Sequence, residues 1–218
     1  APAKPKPPEP RKPLALPVFE RATISELHQL QELRGFELFA GLQILSKKGQ
    51  LGFVNLPDGT ERPRCWIITD SARRNAQARR LDGKPWQSIQ AKAKTLPGSQ
   101  AAWPIGASRL SNASTVLFTE GGPDLLAAAT WATYEVKQPW EAVTMIGAGL
   151  SIHAEALPLF KGKDVYIFAH NDAAGIEAAR KWHEQLIEAG ATVTALCSET
   201  EGRDLNDALI AGEEIKLS

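Results

Sequence analysis

Cysteine is scarce in this 218-residue chain: Cys65 and Cys197 are the only two, with no Cys-x-x-Cys pair. That excludes a disulfide-dense secreted scaffold and a thiolate zinc site. Each lies in an apolar, strand-like segment, so both are expected as buried, reduced thiols in a cytoplasmic protein. No run of eighteen apolar residues exists, which excludes a transmembrane helix. The opening residues, Ala1-Pro2-Ala3-Lys4-Pro5-Lys6, lack the apolar core of a secretory signal. Net charge is missing too, since 25 Lys/Arg balance 25 Asp/Glu.

The balance hides an asymmetry. Residues 1–110 hold 18 Lys/Arg against 9 Asp/Glu, a net of +9, and residues 111–218 hold 7 against 16, a net of −9. A basic half joined to an acidic half suits an enzyme that grips a polyanion and acts on phosphate. It equally suits two oppositely charged units that dock on each other, and the two readings are compatible.

Residues 1–13 hold six prolines and four basic residues, a polyproline-type linker with nothing to bury. A chain opening in such a linker is expected to be a piece cut downstream of another domain. Residues 23–40 read as a helix, with Thr23 or Ser25 as N-cap, Leu27, Leu30 and Leu33 at core spacing, and Gly35 as a stop signal. From Gly41 to Asp70 the pattern changes to strands: Leu51–Leu56 and Cys65–Thr69 flank the turn Pro57-Asp58-Gly59, and Asn75–Leu81 follows. Residues 14–111 therefore form a small, mostly antiparallel α+β unit. Residues 112–218 alternate strand and helix: strands at 115–119, 143–147, 164–169 and 191–197, helices at 123–134, 151–159 and 174–189, and a last helix from Leu205. Alternation of this kind predicts a doubly wound parallel sheet flanked by helices, so the fold class is α/β.

Two acidic motifs fifty residues apart carry the chemistry, Glu120-Gly121-Gly122-Pro123-Asp124 and His170-Asn171-Asp172-Ala173-Ala174-Gly175. Each follows an apolar run and precedes a helical stretch, which places both at the carboxyl ends of parallel strands, where open α/β sheets bind ligands. Carboxylates converging there repel unless a divalent cation sits among them, and hard oxygen ligands favour Mg2+ or Mn2+. Asp172 could equally be an N-cap for helix 174–189, and Asp204 in Arg203-Asp204-Leu205-Asn206-Asp207 a cap for the last helix. The missing side chains of Gly121 and Gly122 allow close approach of a phosphate or metal. In the basic half, Arg73-Arg74, Arg79-Arg80 and Lys92-Ala93-Lys94 offer guanidinium forks and point charges for phosphates. Trp86, Trp103 and Trp140 read as core rather than base-stacking residues.

These motifs resemble the Toprim domain over residues 112–210, in the form found in the catalytic core of phage- and plasmid-type bacterial DNA primases. The resemblance implies Glu120 as general base or metal ligand at the transferring phosphoryl group. It implies Asp124, Asp172, Asp204 and Asn206 at the metal site, with Mg2+ or Mn2+ as cofactor. Arg80 and Lys94 would be contacts to template or nucleotide phosphates, in a basic surface with Arg73, Arg74 and Arg79. The second motif of the family reads Asp-x-Asp, and here its first position is His170. Three outcomes are open: the metal held without it, one metal held where relatives hold two, or a degenerate site. The family's activity is primer synthesis from ribonucleoside triphosphates on single-stranded DNA, with an upstream zinc-binding domain and a replicative helicase as companions. A Toprim nuclease, or a degenerate module that only binds nucleic acid, are the alternatives.

Overall fold

The computed structural model describes residues 17–213, so the expected linker at 1–13 lies outside the described residues. Helix α1 (Ile24–Arg34) begins at Thr23, whose hydroxyl accepts from the Glu26 amide while the Glu26 carboxylate accepts from the Thr23 amide. This reciprocal cap satisfies two otherwise orphaned donors. Gly35, at φ 71°, ends the helix in the left-handed conformation that glycine adopts without strain. The helix expected over residues 23–40 thus stops at Arg34. A second, α2 (Ala40–Lys47), occupies the start of the stretch that reads as strand. It buries Leu42 and Leu45, at helical spacing. Its N-terminus carries no side-chain cap, which is why the sequence does not announce it.

Strands β1 (Leu51–Asn55), β2 (Arg64–Thr69), β3 (Ala76–Arg80) and β4 (Ala93–Thr95) form an antiparallel sheet in that order. β4 was not expected, since Lys92–Thr95 reads as a basic loop. The register of β2 on β3 decides where two arginines face. Trp66 pairs with Arg79 and Cys65 with Arg80, so the two project to opposite faces of the sheet.

The second half alternates as expected: β5 (Thr115–Glu120), α3 (Gly121–Glu135), β6 (Trp140–Met145), β7 (Asp164–Ala169), α4 (Ala173–Glu188), β8 (Thr192–Cys197) and α5 (Leu205–Ile210). β6 begins three residues earlier than the apolar pattern suggests, and the helix expected at 151–159 is one 3-10 turn, Leu157–Phe160. The strands are parallel in the order β6-β5-β7-β8. β5 therefore has β6 on one side and β7 on the other. α3, after β5, packs on one face with Leu125 and Leu126, and α4, after β7, packs on the other with Ala178 and Trp182. Adjacent strands whose helices leave to opposite faces open a crevice at their carboxyl ends.

Three apolar clusters hold the layers. The largest joins both sheets through the helices between them: Leu30, Leu42 and Leu45 meet Leu125, Leu126, Leu117 and Trp66. Phe118, Phe160 and Trp182 pack on the far face of the parallel sheet. Cys65, Ile67, Ala78 and Trp86 cover the outer face of the antiparallel one. Cys65 is buried as expected, and burial pushes its thiol up to about 11. Cys197, by contrast, is exposed: it lies on β8, the edge strand, where no neighbour covers it.

Candidate metal centre and phosphate cleft

Glu120 is the last residue of β5, and Asp124 follows in the first turn of α3. His170 follows β7, the neighbouring strand. The topological crevice thus brings the two motifs together. Asp124 is only 1% exposed. A carboxylate at that depth must have its oxygens satisfied, and both are. Oδ2 lies 2.6 Å from His170 Nε2, and Oδ1 accepts from the Asn206 amide at 3.2 Å. The other ring nitrogen of His170, Nδ1, lies 4.0 Å from Glu120 Oε2.

The electrostatics follow from this geometry. Burial pushes Asp124 up to about 6, with the His170 hydrogen bond pulling the other way and the Asp204 charge adding to the rise. The hydrogen bond to Asp124 raises His170 to about 9 against its own burial, helped by the negative charges of Asp124, Glu120 and Asp204. Between those values the pair is an imidazolium bonded to a carboxylate.

Asp204 caps α5 by accepting from the Asp207 amide at 2.8 Å, and Asp172 caps α4 by accepting from Gly175 at 2.7 Å. Asp204 also belongs to a cluster: one ligand atom from each of Asp124, His170 and Asp204 lies within 4.8 Å of the others. Ligands of one ion at about 2.0–2.5 Å can be no more than about 5 Å apart, so these residues fit a divalent cation. Asp172 is outside that cluster. Gly122, expected to admit a ligand, instead admits a side chain of the other sheet: a Cβ there would stand 2.9 Å from the Trp66 ring.

Arg34, at the end of α1, joins the site in a way that sequence reasoning missed. Its Nε donates to Asn206 Oδ1 at 3.0 Å, and Asn206 Nδ2 donates back to the Arg34 carbonyl at 3.4 Å. Asn206, 172 residues from Arg34 in sequence, thereby links it to Asp124. The only local signal was a basic residue before Gly35, which reads as an ordinary helix end. Arg79 reaches the same region from β3. Burial and the Arg34 charge lower it, while Asp124 and Asp204 raise it; burial likewise lowers Arg34. Arg34, Arg79, Lys84 and Lys92 line one cleft of about 170 Å³, which Arg80 also borders although its guanidinium is bound to carboxylates of the outer face. Two buried donors in its wall, Arg79 Nε and Trp66 Nε1, have no partner among the described residues.

The other basic candidates are placed elsewhere. Arg80 points to the outer face, where its guanidinium binds Asp58 at 3.0 Å, Glu61 at 3.1 Å and Asp82 at 2.7 Å. Burial would raise Asp58, but the Gln87 and Ser88 amides and Arg80 hold it down to about 2. Lys94 shares that outer face, its Nζ 4.7 Å over the Trp86 ring. Arg74 stacks on Trp103 at 3.9 Å and pairs with Glu155, and Arg73 lies over Phe19. The acidic site therefore gathers Arg79 but not Arg80, Lys94, Arg73 or Arg74.

A parallel sheet with acidic residues at its carboxyl edge and an antiparallel sheet beside it is the arrangement that comparison with known proteins also finds. Residues 115–214, just under half of the chain, match the family model of the Toprim domain. The primase fragment of the bacteriophage T7 primase-helicase protein shares the fold, with a TM-score of 0.51 at 16% identity over 77% of this chain and 64% of that one. The Aquifex aeolicus primase (zinc-binding and RNA polymerase domains) gives a TM-score of 0.48 at 18% identity over 78% and 42%. A DNA primase domain from Pseudomonas aeruginosa gives 0.48 at 21% identity over 79% and 56%. The chain spans less than two thirds of each. No curated protein matches it.

Proposed function

We propose that the chain is the catalytic core of a DNA primase, joining ribonucleotides on a single-stranded DNA template by metal-dependent nucleotidyl transfer. The observation that carries this reading is the juxtaposition of the Glu120–Asp124–His170–Asp204 group with a cleft lined by Arg34, Arg79, Lys84 and Lys92. A nuclease of this class needs the acidic group alone. A polymerising site must also hold a nucleoside triphosphate and a template, both polyanions.

Asp124, His170 and Asp204 would hold a Mg2+ or Mn2+ ion. Bound there, it supplies the positive charge that phosphoryl oxygens need in the transition state. Glu120 takes the proton of the attacking 3′-hydroxyl. Arg34 and Arg79 hold phosphate oxygens, a task to which guanidinium forks are suited. Asn206 touches no reacting atom and fixes the position of Arg34 relative to Asp124. An upstream zinc-binding domain and a replicative helicase are the partners this reading expects.

Primer synthesis tests it: the protein, single-stranded circular DNA, four ribonucleoside triphosphates and Mg2+ or Mn2+ should yield short alkali-labile products. Glu120→Gln should abolish them while leaving DNA binding intact. Shortening of the DNA without ribonucleotides would identify a Toprim nuclease instead. DNA binding with neither product would mark a degenerate, binding-only module.

A further inference from the structure

We infer that the outer edge of the parallel sheet, strand β8 with the flank of α4 above it, pairs with the same edge of a second copy of this chain. The two sheets have four edge strands, and three are closed or guarded. Ile105 exchanges main-chain hydrogen bonds with Thr144 of β6 at 2.9 Å in both directions. Glu20 does the same with Phe53 of β1, at 3.0 and 3.2 Å. β4 is three residues long and carries Lys94, a device that discourages strand addition. β8 has none of these protections. It reads Thr192-Val193-Thr194-Ala195-Leu196-Cys197, six residues with no charge and no proline. The Thr192 amide donates to the Lys163 carbonyl at 2.9 Å, so Thr192, Thr194 and Leu196 turn their main-chain groups towards β7. By the alternation of a strand, Val193, Ala195 and Cys197 turn theirs outward. No other element bonds to that row among the described residues. An unpaired, uncharged row of this kind is a template for another strand.

The edge is self-complementary, which argues for a second copy rather than a different partner. A twofold axis perpendicular to the sheet at Ala195 sets that residue opposite its own counterpart. Val193 then stands opposite Cys197 of the second copy, so all three outward residues fall in hydrogen-bonded antiparallel pairs. The same axis pairs the helices. α4 packs on β7 and β8, and its inner flank is closed by the 148–152 segment, where Lys181 donates to the Ala148 carbonyl at 2.9 Å and Gln185 accepts from the Ile152 amide at 3.0 Å. On the opposite flank Ile176 and Ile187 lie about three turns apart, 53% and 47% exposed. Since α4 runs back against the strands, Ile176 stands at the Cys197 end of β8 and Ile187 at the Thr192 end. The twofold axis therefore brings Ile176 of each copy to Ile187 of the other, an isologous contact. The carboxyl edges of the two sheets point in opposite directions, so both acidic sites stay open. The inference does not depend on the catalytic reading.

Sedimentation equilibrium and amide hydrogen exchange on the unmodified chain supply the test. We expect a mass twice that of one chain, reverting to that of one chain on dilution. The Val193, Ala195 and Cys197 amides should exchange slowly in the dimer and fast in the monomer, while those of Thr194 and Leu196, bonded to β7, stay slow in both. Ala195→Lys, at an exposed position, sets like charges opposite each other on the axis. It should raise the dimer dissociation constant about tenfold or more without changing the Tm of the dilute protein. A chain that stays monomeric up to its solubility limit overturns the inference. So does a dimer whose three outward amides exchange freely, because its interface would lie on another surface. Protection of those amides that does not vary with concentration overturns it as well, because the edge would then be covered within one chain.

Discussion

Gly175 sits in the first turn of α4, and replacing it with alanine puts the link between fold and site to a quantitative test. Its amide completes the Asp172 cap at 2.7 Å, an interaction that alanine would retain. Its Cα is what matters. A Cβ built there stands 2.5 Å from the His170 carbonyl oxygen and 2.6 Å from the His170 Cβ, and real Cβ atoms essentially never come within 3.0 Å of a neighbour. The end of β7 or the start of α4 must therefore retreat by roughly half an ångström. Glycine-to-alanine inside a helix gains about 1 kcal/mol from propensity. Overpacking against backbone costs about 1–3 kcal/mol. The clash wins or at best ties, for a net destabilisation of about 1 kcal/mol and a Tm lowered by about 2–4 °C at this chain length.

The larger effect is on the site. The residue displaced is His170, whose ring lies 2.6 Å from Asp124, so half an ångström is enough to stretch that hydrogen bond out of its strong range. Metal affinity should fall by about 10–100-fold, as when a ligand loses its orienting partner. Thermal unfolding and calorimetric Mn2+ titration read the two effects separately. Gly149→Ala is the control: nothing lies within 4 Å of its Cβ position, and it should change stability by no more than about 0.5 kcal/mol. A Gly175→Ala protein with a raised Tm and undiminished metal affinity would refute the reasoning, because propensity would then have outweighed a contact that is too loose to matter.

Other expectations rest on the same geometry. Arg79→Gln should lower the slope of log affinity for single-stranded DNA against log salt by about 0.7, one counterion's worth, with little change in Tm. Arg80→Met should do the reverse, lowering Tm by stranding Asp58 while leaving the salt slope unchanged; fluorescence anisotropy over a salt series reads both. In the metal-free chain, His170 is raised from 6.5 to about 9, so its stabilisation is complete below about pH 6.5 and is lost as pH rises through 9. Asp124, raised from 3.8 to about 6, acts in the same sense at lower pH, its contribution fading as pH rises through 6. Tm in the presence of a chelator should therefore fall between pH 6.5 and 9.5, by a stability of at most about 3 kcal/mol, and His170→Gln should flatten that fall. A parent Tm that rises over this interval contradicts the sign.

The parallel half was legible because its signals are local and repeated: β5 is an apolar run ending at Glu120 and β7 one followed by His170, and each leads to a helix with glycine in its first turn. The antiparallel half was less so. α2 is short, uncapped and shares its leucine content with a strand, and β4 is three residues long with two of them polar or charged. The site was half legible for a different reason. Arg79 and Arg80 are neighbours in sequence, and a strand sends neighbours to opposite faces. Which one meets the metal site depends on whether β3 sets Arg79 beside Trp66 or beside Cys65, a matter of register that no residue near Arg80 records. Arg34 is harder still, since its partner Asn206 lies on α5 at the other end of the chain.

The charge asymmetry between the halves admitted two meanings, docking and anion binding, and the fold separates them in space. Docking is handled near the starting edge of the parallel sheet. There Glu141, the second residue of β6 and 3% exposed, receives Lys48 at 2.8 Å and Arg109 at 3.4 Å. Arg74 and Glu155 add a more exposed pair. At the carboxyl edge the pattern changes. Among the described residues, Arg34, Arg79, Lys84 and Lys92 form no ion pair within 4.0 Å, and the closest partner of Arg34 is the neutral amide of Asn206. A cation bonded to an amide keeps its full charge while giving up its freedom to move. Charges positioned but not neutralised are what a polyanionic ligand needs in order to gain Coulomb energy without an internal partner to displace. The cations that pair between the halves and the four that pair with no carboxylate among the described residues thus sit in different parts of the fold.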